Sequence, residues 1–584
     1  MILQALNGYY RRMAEEGNQD VAPEGFEQKE IPFLVVLNQQ GECVGLQDTR
    51  EGEGKKKTGR LFTVPKGVKK TSGIAANFLW DTSNYALGIP KPDPKKNPDQ
   101  LAEKAKEQLK SFIDVIRVQF PEPPEDTGIQ AVLTFLERGD FTALESYSAW
   151  QEISDTGPIV SFRYESDTCL VCQRESVKRV ITGDAKQGTP SVEAHPCLVT
   201  GDLDVPVRLH TAIKGVWGAQ SSGANIVSFN LEAFRSFGKE QGYNAPVGKR
   251  AEFAYTTALN RMLLKGSRQR LQVGDCSTVF WAERKSPLED IFADVFGEPS
   301  KENPDQQNAA VLELFKAPDA GAPPLDEDLT PFFVLGLAPN AARIAVRFWY
   351  PGTVGEAAQH IKQHFGDCAI VHGPKQPPYL SLFRLLVSTA TQGKSENIPP
   401  NLAGDFMKAI LTGGSYPRTL LASAIRRCRA EQDVTYPRAA LIKAFLSRES
   451  RLNVNNKTEK EVGMSLDTNN TNPGYLLGRL FAVLEKAQES ASPGINATIR
   501  DRFYGAASGT PVAVFPHLLK LKVHHIAKLE NRGQAVNLEK LIGEIMEKVV
   551  AEKAFPAHLS LHDQGCFAVG YYHQRQDFFT KKEQ

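Results

Sequence analysis

Three cysteines and two histidines lie close enough in this sequence to suggest metal chemistry. Cys169 and Cys172 form a CxxC pair, and Cys197 with His195 or His210 would complete a tetrahedral zinc site of thiolate and imidazole donors. A second CxxC is missing, so ordinary buried thiols and a core histidine compete with that reading. His558 and His562 stand four apart, as on one helical face, but the Leu-Ser-Leu between them omits the glutamate of HExxH. His562-Asp563 would serve a two-metal phosphohydrolase if further histidines and carboxylates joined it, and otherwise reads as a helix-end pair. Gly218 and Gly223 have the GxxxxG spacing of a phosphate loop, yet Ala224 and Asn225 stand where such a loop needs Lys and Ser/Thr. NTP hydrolysis is therefore disfavoured, although Gln220, Ser221 and Ser222 could still meet a nucleic-acid backbone or a neighbouring subunit. No G-x-S-x-G elbow and no nucleophile–base–orienter set is present. The sequence assigns no catalytic residue, no metal and no cofactor.

Basic residues give the stronger signal. Gly54 to Lys70 carries Lys55, Lys56, Lys57, Arg60, Lys66, Lys69 and Lys70, seven cations in seventeen residues without an acidic one. Such a block suits phosphate contacts, and its alternative is a solvated surface loop. TSGIAANFLWD at 71–81 follows, with Thr71, Ser72 and Asn77 ahead of Phe78 and Trp80. Asparagine can read a base edge as donor and acceptor together; it is also a common turn residue. A second concentration lies between Asp405 and Arg448. There Lys408, Arg418, Arg426, Arg427, Arg429, Arg438, Lys443 and Arg448 face three carboxylates, a net +5. Phosphate binding and a plain charged helix face compete for it.

The elements that must position these residues are divided by proline and asparagine clusters. PKPDPKKNPD at 90–99 and PEPPED at 121–126 bracket a helical stretch, LAEKAKEQLKSFIDVIRVQF. Strand-like IPFLVVLN (31–38) and SFRYE (161–165) sit among helices, and β-rich RIAVRFWY (343–350) follows APDAGAPPLDEDLTP (317–331). An Asn-rich linker runs from Leu452 to Pro473. After it the pattern is almost wholly helical, with Leu538, Leu541, Ile542, Ile545 and Val549 on one apolar face. The expected fold is therefore α+β and multidomain: mixed α/β over 1–320, a middle α+β region over 321–452, a linker at 453–473 and a helical bundle over 474–584. No internal repeat is evident.

Composition bounds the function further. The 584 residues, 41% hydrophobic and 23% charged, supply several cores and exclude global disorder. The net charge of +1 denies a basic chain as a whole, so any nucleic-acid surface must be local. Eight cysteines are too sparse for a disulfide scaffold. MILQALNGYYRRMAEEG reads as an amphipathic helix and not as a secretory signal, and the longest apolar runs are strand-sized. A cytoplasmic protein without membrane contact is expected.

Taken together, NFLWDTSNYALG (77–88), CLVTGDLDVPVRLHTAIKGVWGAQSSGANIVSFNLEAFRSFGKEQGYNAPV (197–247), FFVLGLAPNAARIAVRFW (332–349), YPRAALIKAFLSR (436–448), NPGYLLGRLFAVLEKAQ (472–488) and QGCFAVGYYHQRQ (564–576) resemble the large subunit of the type I-C CRISPR Cascade. The resemblance spans nearly the whole chain in order, and its specificity comes from the ordered set. It implies a non-enzymatic subunit of a crRNA-guided antiviral complex that reads the protospacer-adjacent motif, helps open the duplex, holds displaced strand and docks a trans-acting helicase-nuclease. The implied partners are the crRNA-bound Cascade backbone, the crRNA-end subunits and target double-stranded DNA. The DNA-binding candidates become Lys55, Lys56, Lys57, Arg60, Lys66, Lys69, Lys70, Thr71, Ser72, Asn77, Gln220 and Ser221. The resemblance adds a small subunit made from an internal start, for which Met464 is well placed, leaving 121 residues. Its alternatives are a metal-dependent phosphohydrolase using His558, His562 and Asp563, or a helical scaffold without nucleic-acid contact.

Overall fold

A computed structural model describes residues 1–16, 22–52, 57–68, 70, 73–120, 124–182, 194–297, 303, 305–315, 325–399, 401–453, 462–550 and 555–579. Lys55, Lys56, Lys69, Thr71 and Ser72 lie outside the described residues, as do parts of the two expected connectors, 316–324 and 454–461. The described chain is α+β and forms two compact units. One comprises Leu3–Thr211 with Val227–Arg261, and the other Ala212–Ile226 with Met262–Gln584.

In the first unit, helix α1 (Ile2–Glu15) precedes strands β1 (Phe26–Glu30), β2 (Phe33–Leu37), β3 (Cys43–Asp48), β4 (Leu61–Pro65) and β5 (Trp80–Thr82). Helices α2 (Ser83–Ala86), α3 (Pro98–Gln119), α4 (Thr127–Arg138) and α5 (Trp150–Thr156) lead to β6 (Ile159–Tyr164) and α6 (Glu175–Thr182). The sheet order is β3-β2-β6-β5, with β2 and β6 parallel and both edges antiparallel. Every residue of β2 is buried, as expected of a strand covered on both faces. Phe112 and Ile116 of α3 and Ile129, Val132, Phe135 and Leu136 of α4 join its core, where Phe112 and Phe135 meet Phe162 at 6.2 and 6.3 Å between ring centres. Asp126 caps α4 through the Gly128 and Ile129 N–H groups and accepts from Arg174 and Ser176, tying α4 to the start of α6. Short strands β7 (His195–Pro196) and β8 (Leu203–Asp204) open a largely irregular stretch that ends at α7 (Lys249–Met262).

The second unit begins its sheet with β9 (Arg270–Val273) and β10 (Cys276–Ala282), passes through α8 (Pro287–Phe296) and α9 (Gln306–Phe315), and completes it with β11 (Pro331–Asn340) and β12 (Arg343–Thr353). All neighbours in this β12-β11-β10-β9 sheet are antiparallel. It thus takes strands from both sides of residue 320. A bulge between Gly336 and Leu337 falls where a Cβ on Gly336 would lie 2.2 Å from the Phe348 ring. Helices α10 (Val354–Cys368), α11 (Leu382–Ser388), α12 (Leu402–Thr412), α13 (Arg418–Glu431), α14 (Tyr436–Leu452), α15 (Pro473–Ala491), α16 (Ile499–Ala507), α17 (Phe515–Ala527), α18 (Arg532–Glu547) and α19 (Leu561–Asp577) follow.

One continuous core joins this sheet to all the later helices, from Val273 to Tyr572. The C-terminal helices therefore do not close a core of their own. Gly565 of α19 lies against α13 and α14, where an added Cβ would stand 3.3 to 3.5 Å from Ile442, Leu421 and Leu446. On its other side α19 crosses α15 almost backbone to backbone. A Cβ on Gly474, Gly478 or Gly570 would lie 2.1, 2.1 or 2.3 Å from the carbonyl oxygens of Asp563, Phe567 or Tyr475. Buried polar pairs lock that crossing: Tyr475 with His573 (2.9 Å), Arg479 with Gln574 (3.1 Å) and Tyr571 donating to Glu485 (2.6 Å). The described part of the Asn-rich segment is fastened down as well. Asn472 caps α15 at the Tyr475 N–H and donates to Asp563, and the Met464 carbonyl accepts from the Val371 N–H. Among the described residues, no helix is long and apolar enough to cross a membrane.

Candidate nucleic-acid interface

The basic block lies along a two-stranded ribbon. β1 and β4 pair antiparallel from Phe26↔Pro65 to Glu30↔Leu61, and the Lys66 N–H continues the ladder to the Gly25 carbonyl (2.8 Å). Lys57 and Arg60 are exposed ahead of β4, Arg60 with its guanidinium 5.7 Å from the Phe62 ring centre. Lys57 lies near a carboxylate pair, Asp48 and Glu152, which Arg50 bridges. Hydrogen bonds from Arg50 hold both carboxyls below their usual range.

Past β4 the chain turns around one buried carboxylate. Asp81, 2% exposed, accepts Lys70 Nζ at 2.6 and 2.7 Å, the Asn77 N–H at 2.9 Å and the Thr82 N–H at 2.8 Å. Asn77 Oδ1 takes the Val68 N–H (2.9 Å), and Trp80 Nε1–H reaches the Pro65 carbonyl (2.8 Å). Gly67 leaves little room for a side chain, since a Cβ there would sit 3.1 Å from Trp80 and 3.3 Å from Asn77 Oδ1. Lys70 Nζ also lies 3.6 Å from the Tyr85 ring centre, and Lys29 Nζ 5.3 Å from that of Trp80. The buried acid gathers Lys70, Asn77 and Thr82, and the Asn77 amide and the Trp80 indole fasten Val68 and Pro65 beside it.

This geometry revises the charge balance read from the sequence. Lys66 and Lys70 have partners from outside their own segment: Lys66 Nζ lies 3.5 Å from Glu252 and donates to Thr211 (3.1 Å), and Lys70 is paired with Asp81. Asn77 is buried, 7% exposed, with its carbonyl oxygen spent on the turn. Its place is in the support of the basic turn. Lys70 and Asn77 are thus brought together on Asp81, while the Lys66 side chain is held at Glu252 and Thr211. Gln220 and Ser221 are exposed on a loop of the other unit. Asp81 and Glu252 are the residues that sequence reading passed over. Asp81 carried a signal, a lone acid directly after a block of cations and beside a tryptophan; Glu252 had none.

Three of the eight cations in the second basic concentration are internal. Arg438, Lys443 and Arg448 are 5%, 4% and 1% exposed. Arg448 bonds Asp367 (2.9 Å) and the Ala409 and Gly414 carbonyls, Arg438 bonds Glu431 and the Ser388 carbonyl, and Lys443 reaches the Gly366 carbonyl (3.3 Å). α14 is buried almost all round, so its cations serve packing and do not form a phosphate-binding face. Lys408, Arg418, Arg426 and Arg429 remain exposed.

The residues with metal-binding spacing take separate places. Cys172 is buried under β6, and burial pushes its thiol up to about 12. Cys197 Sγ accepts the Val199 and Gly248 N–H groups (3.4 and 3.3 Å), His195 is exposed, and His210 is buried against the Tyr255 hydroxyl. Among the described residues no three His, Cys, Asp or Glu side chains form a group able to hold a metal ion. His558 precedes the helix cap Ser560, so it shares no helical face with His562. His562 is paired with Glu449 (3.0 Å), while Asp563 bonds Ser560 and Asn472 in the first turn of α19.

No curated protein matches the chain. A family model does: CRISPR-associated protein (Cas_Csd1) matches residues 6–579, nearly the whole chain and both compact units. The protein belongs to this CRISPR-associated family of effector subunits.

Proposed function

We propose that the protein is the non-catalytic DNA-recognition subunit of a type I-C crRNA-guided surveillance complex. In this reading it binds the crRNA-bound backbone and the crRNA-end subunits, reads the protospacer-adjacent motif on target duplex, aids its opening, holds displaced strand and docks the helicase-nuclease. The observation that carries the reading is the turn around Asp81, within a chain matched by the family from end to end. A basic turn anchored on a buried acid suits motif reading by a protein, because guide pairing reads the rest of the target. Lys57 and Arg60 supply sequence-independent phosphate attraction, together with Lys55, Lys56 and Lys69. Lys70 and Asn77 shape the motif-reading turn, Asn77 from beneath it, and Lys66, Thr71 and Ser72 are further DNA-binding residues. Gln220 and Ser221 form a second contact. A helical bundle over 474–584 that resembles a Cascade small subunit while sharing the core of the preceding helices, and a small subunit started at Met464, belong to the same proposal.

The test is whether the chain co-purifies with a discrete short RNA and partner proteins, and whether that complex binds matching duplex. Asn77→Ala removes the acceptor of the Val68 N–H and is expected, through the shape of the turn, to weaken binding to motif-bearing duplex more than to pre-unwound target. Equal loss on both substrates would remove this turn from motif reading.

A further inference from the structure

Exposed apolar side chains crowd into one part of the first unit. Leu198, Leu203, Leu209, Leu231, Phe237 and Tyr243 all fall in its irregular stretch from β7 to α7, whereas the rest of that unit adds Met1, Val44, Leu61, Val68 and Val118. A single exposed leucine carries no message, but a concentration of this kind points to a surface that another molecule covers. Main-chain hydrogen bonds hold these residues on neighbouring segments. The Leu198 N–H donates to the Pro246 carbonyl (2.9 Å), and Leu203 pairs with Pro196 across β7 and β8. The Gly242 N–H donates to the Arg208 carbonyl (3.0 Å), which sets Leu209 and Tyr243 on adjoining segments. Gly242 permits that approach, since a Cβ there would lie 2.0 Å from the Val207 carbonyl oxygen.

Phe237 stands at the tip of a hairpin. Ser236 and Lys239 pair around a two-residue turn whose central residues, Phe237 and Gly238, have φ of +50° and +70°. Asn-Gly usually fills such a turn, because a bulky L-residue is strained at positive φ. Asn244 fastens the hairpin next to Tyr243, accepting the Ser236 N–H on Oδ1 (3.1 Å) and donating to the Lys239 and Gln241 carbonyls (3.3 and 3.0 Å). Phe237 is 98% exposed. The fold therefore keeps both a strained backbone and a bare ring at this position and gains no packing among the described residues in return, a combination that belongs to functional sites.

Charge decides what can cover it. The stretches 195–211 and 227–247 hold Asp202, Asp204, Glu232 and Glu240 against Arg208, Arg235 and Lys239. Arg235 is moreover taken up by Glu232 (3.7 Å) and Glu240 (3.5 Å). A surface without surplus cations attracts neither a phosphate backbone nor an anionic membrane. Aliphatic side chains around one protruding ring, among balanced charges, suit a protein–protein contact in which an aromatic anchor fills a pocket on the partner. The family is one of effector subunits, so the fitting partner is another protein subunit of the same assembly.

We infer that this surface docks a neighbouring protein subunit, with the Phe237 ring seated in an apolar pocket of that subunit. This rests on the proposed membership of a multi-subunit complex and gives that association a face. The test uses the full chain and, as probe, the crRNA-bound assembly of the other subunits expressed without it, with association read by biolayer interferometry. Phe237→Gly removes the ring and suits the positive φ, so it should weaken association more than about thirty-fold while the melting temperature is kept or raised. Leu198→Asp should weaken association more than about ten-fold, and Val118→Asp, outside the stretch, less than about two-fold. Unchanged association of Phe237→Gly, or a fall in the free chain's affinity for duplex DNA in its place, overturns the inference while leaving complex membership standing. A wild-type dimer that Phe237→Gly turns into a monomer would make the face a self-contact and overturn it as well. A wild-type chain that does not associate with the assembly overturns both the inference and the proposed membership.

Discussion

Replacing Asp81 by asparagine removes one charge and no volume from the turn that supports the basic ribbon. The carboxylate accepts on both oxygens, from Asn77 N–H on one, Thr82 N–H on the other and Lys70 on both. An amide offers one oxygen and one NH2, so whichever way it turns a donor faces a donor. One backbone N–H then loses its acceptor at a site 2% exposed, at a cost of about 1–3 kcal/mol. The Lys70 side chain is 31% exposed and can return to water, so loss of its pairing adds about 1 kcal/mol. Together these lower the free energy of local opening by about 2–4 kcal/mol, a roughly 30- to 900-fold rise in opening frequency. Amide hydrogen exchange by mass spectrometry should show that acceleration in peptides covering 61–82, with peptides from α15 and α19 unchanged. The same variant frees the Lys70 charge, so sequence-independent DNA binding should strengthen at low salt, and its salt slope steepen by about one unit, while motif discrimination falls. An exchange rate altered less than about three-fold would refute the argument that this carboxylate holds the turn.

Two further predictions concern the second unit. Gly478→Ala places a methyl 2.1 Å from the Phe567 carbonyl and forces α15 from α19, so it should cost about 3 kcal/mol and lower the melting temperature. Gly543→Ala on α18, where nothing lies within 4 Å, should leave melting unchanged or raise it through helix propensity alone, about 1 kcal/mol at most. For pH, burial and nearby Arg448 push His364 down to about 3, and burial and nearby Lys443 push His573 down to about 4. The unfolded chain takes up these protons near about 6.5 and the folded chain does not, so stability is full above that value and declines below it. The decline should reach about 1.4 kcal/mol per histidine per pH unit between about 6.5 and about 4. Denaturant midpoints at pH 7.5 and 5.5 check this, and a midpoint flat across that window would contradict it.

Periodicity located most elements, because each amphipathic helix or buried strand writes its own face into the sequence. The stretch LAEKAKEQLKSFIDVIRVQF became α3, IPFLVVLN became β2, RIAVRFWY became β12, and the face of Leu538, Ile542 and Ile545 is buried on α18. The site was less legible because its deciding partners are remote in sequence. Nothing near Lys66 announces Glu252, so a run of cations looked uncompensated when two of them were paired. α14 misled for a related reason. A helix enclosed by neighbours shows little polar-to-apolar alternation, and its Arg438, Lys443 and Arg448 resembled a surface while bonding interior carbonyls and Asp367. His558 and His562 matched a helical spacing, but Ser560 starts the helix between them.

The seat of α19 on α13 and α14 has a bearing on how the C-terminal helices could exist apart from the rest. A polypeptide beginning at Met464 carries α15 to α19 and keeps their glycine crossing, but it lacks Leu421, Ile442 and Leu446, the side chains that cover Gly565. It also leaves behind Glu449, so His562 loses its charge partner. The strip around Gly565 would then be bare, and a bare apolar strip on a small helical protein is adhesive. Released helices of this kind should be soluble in company and aggregate alone. Within the full chain, α13 and α14 occupy that strip permanently, so whatever shelters it in a separate copy gains no hold on the longer protein.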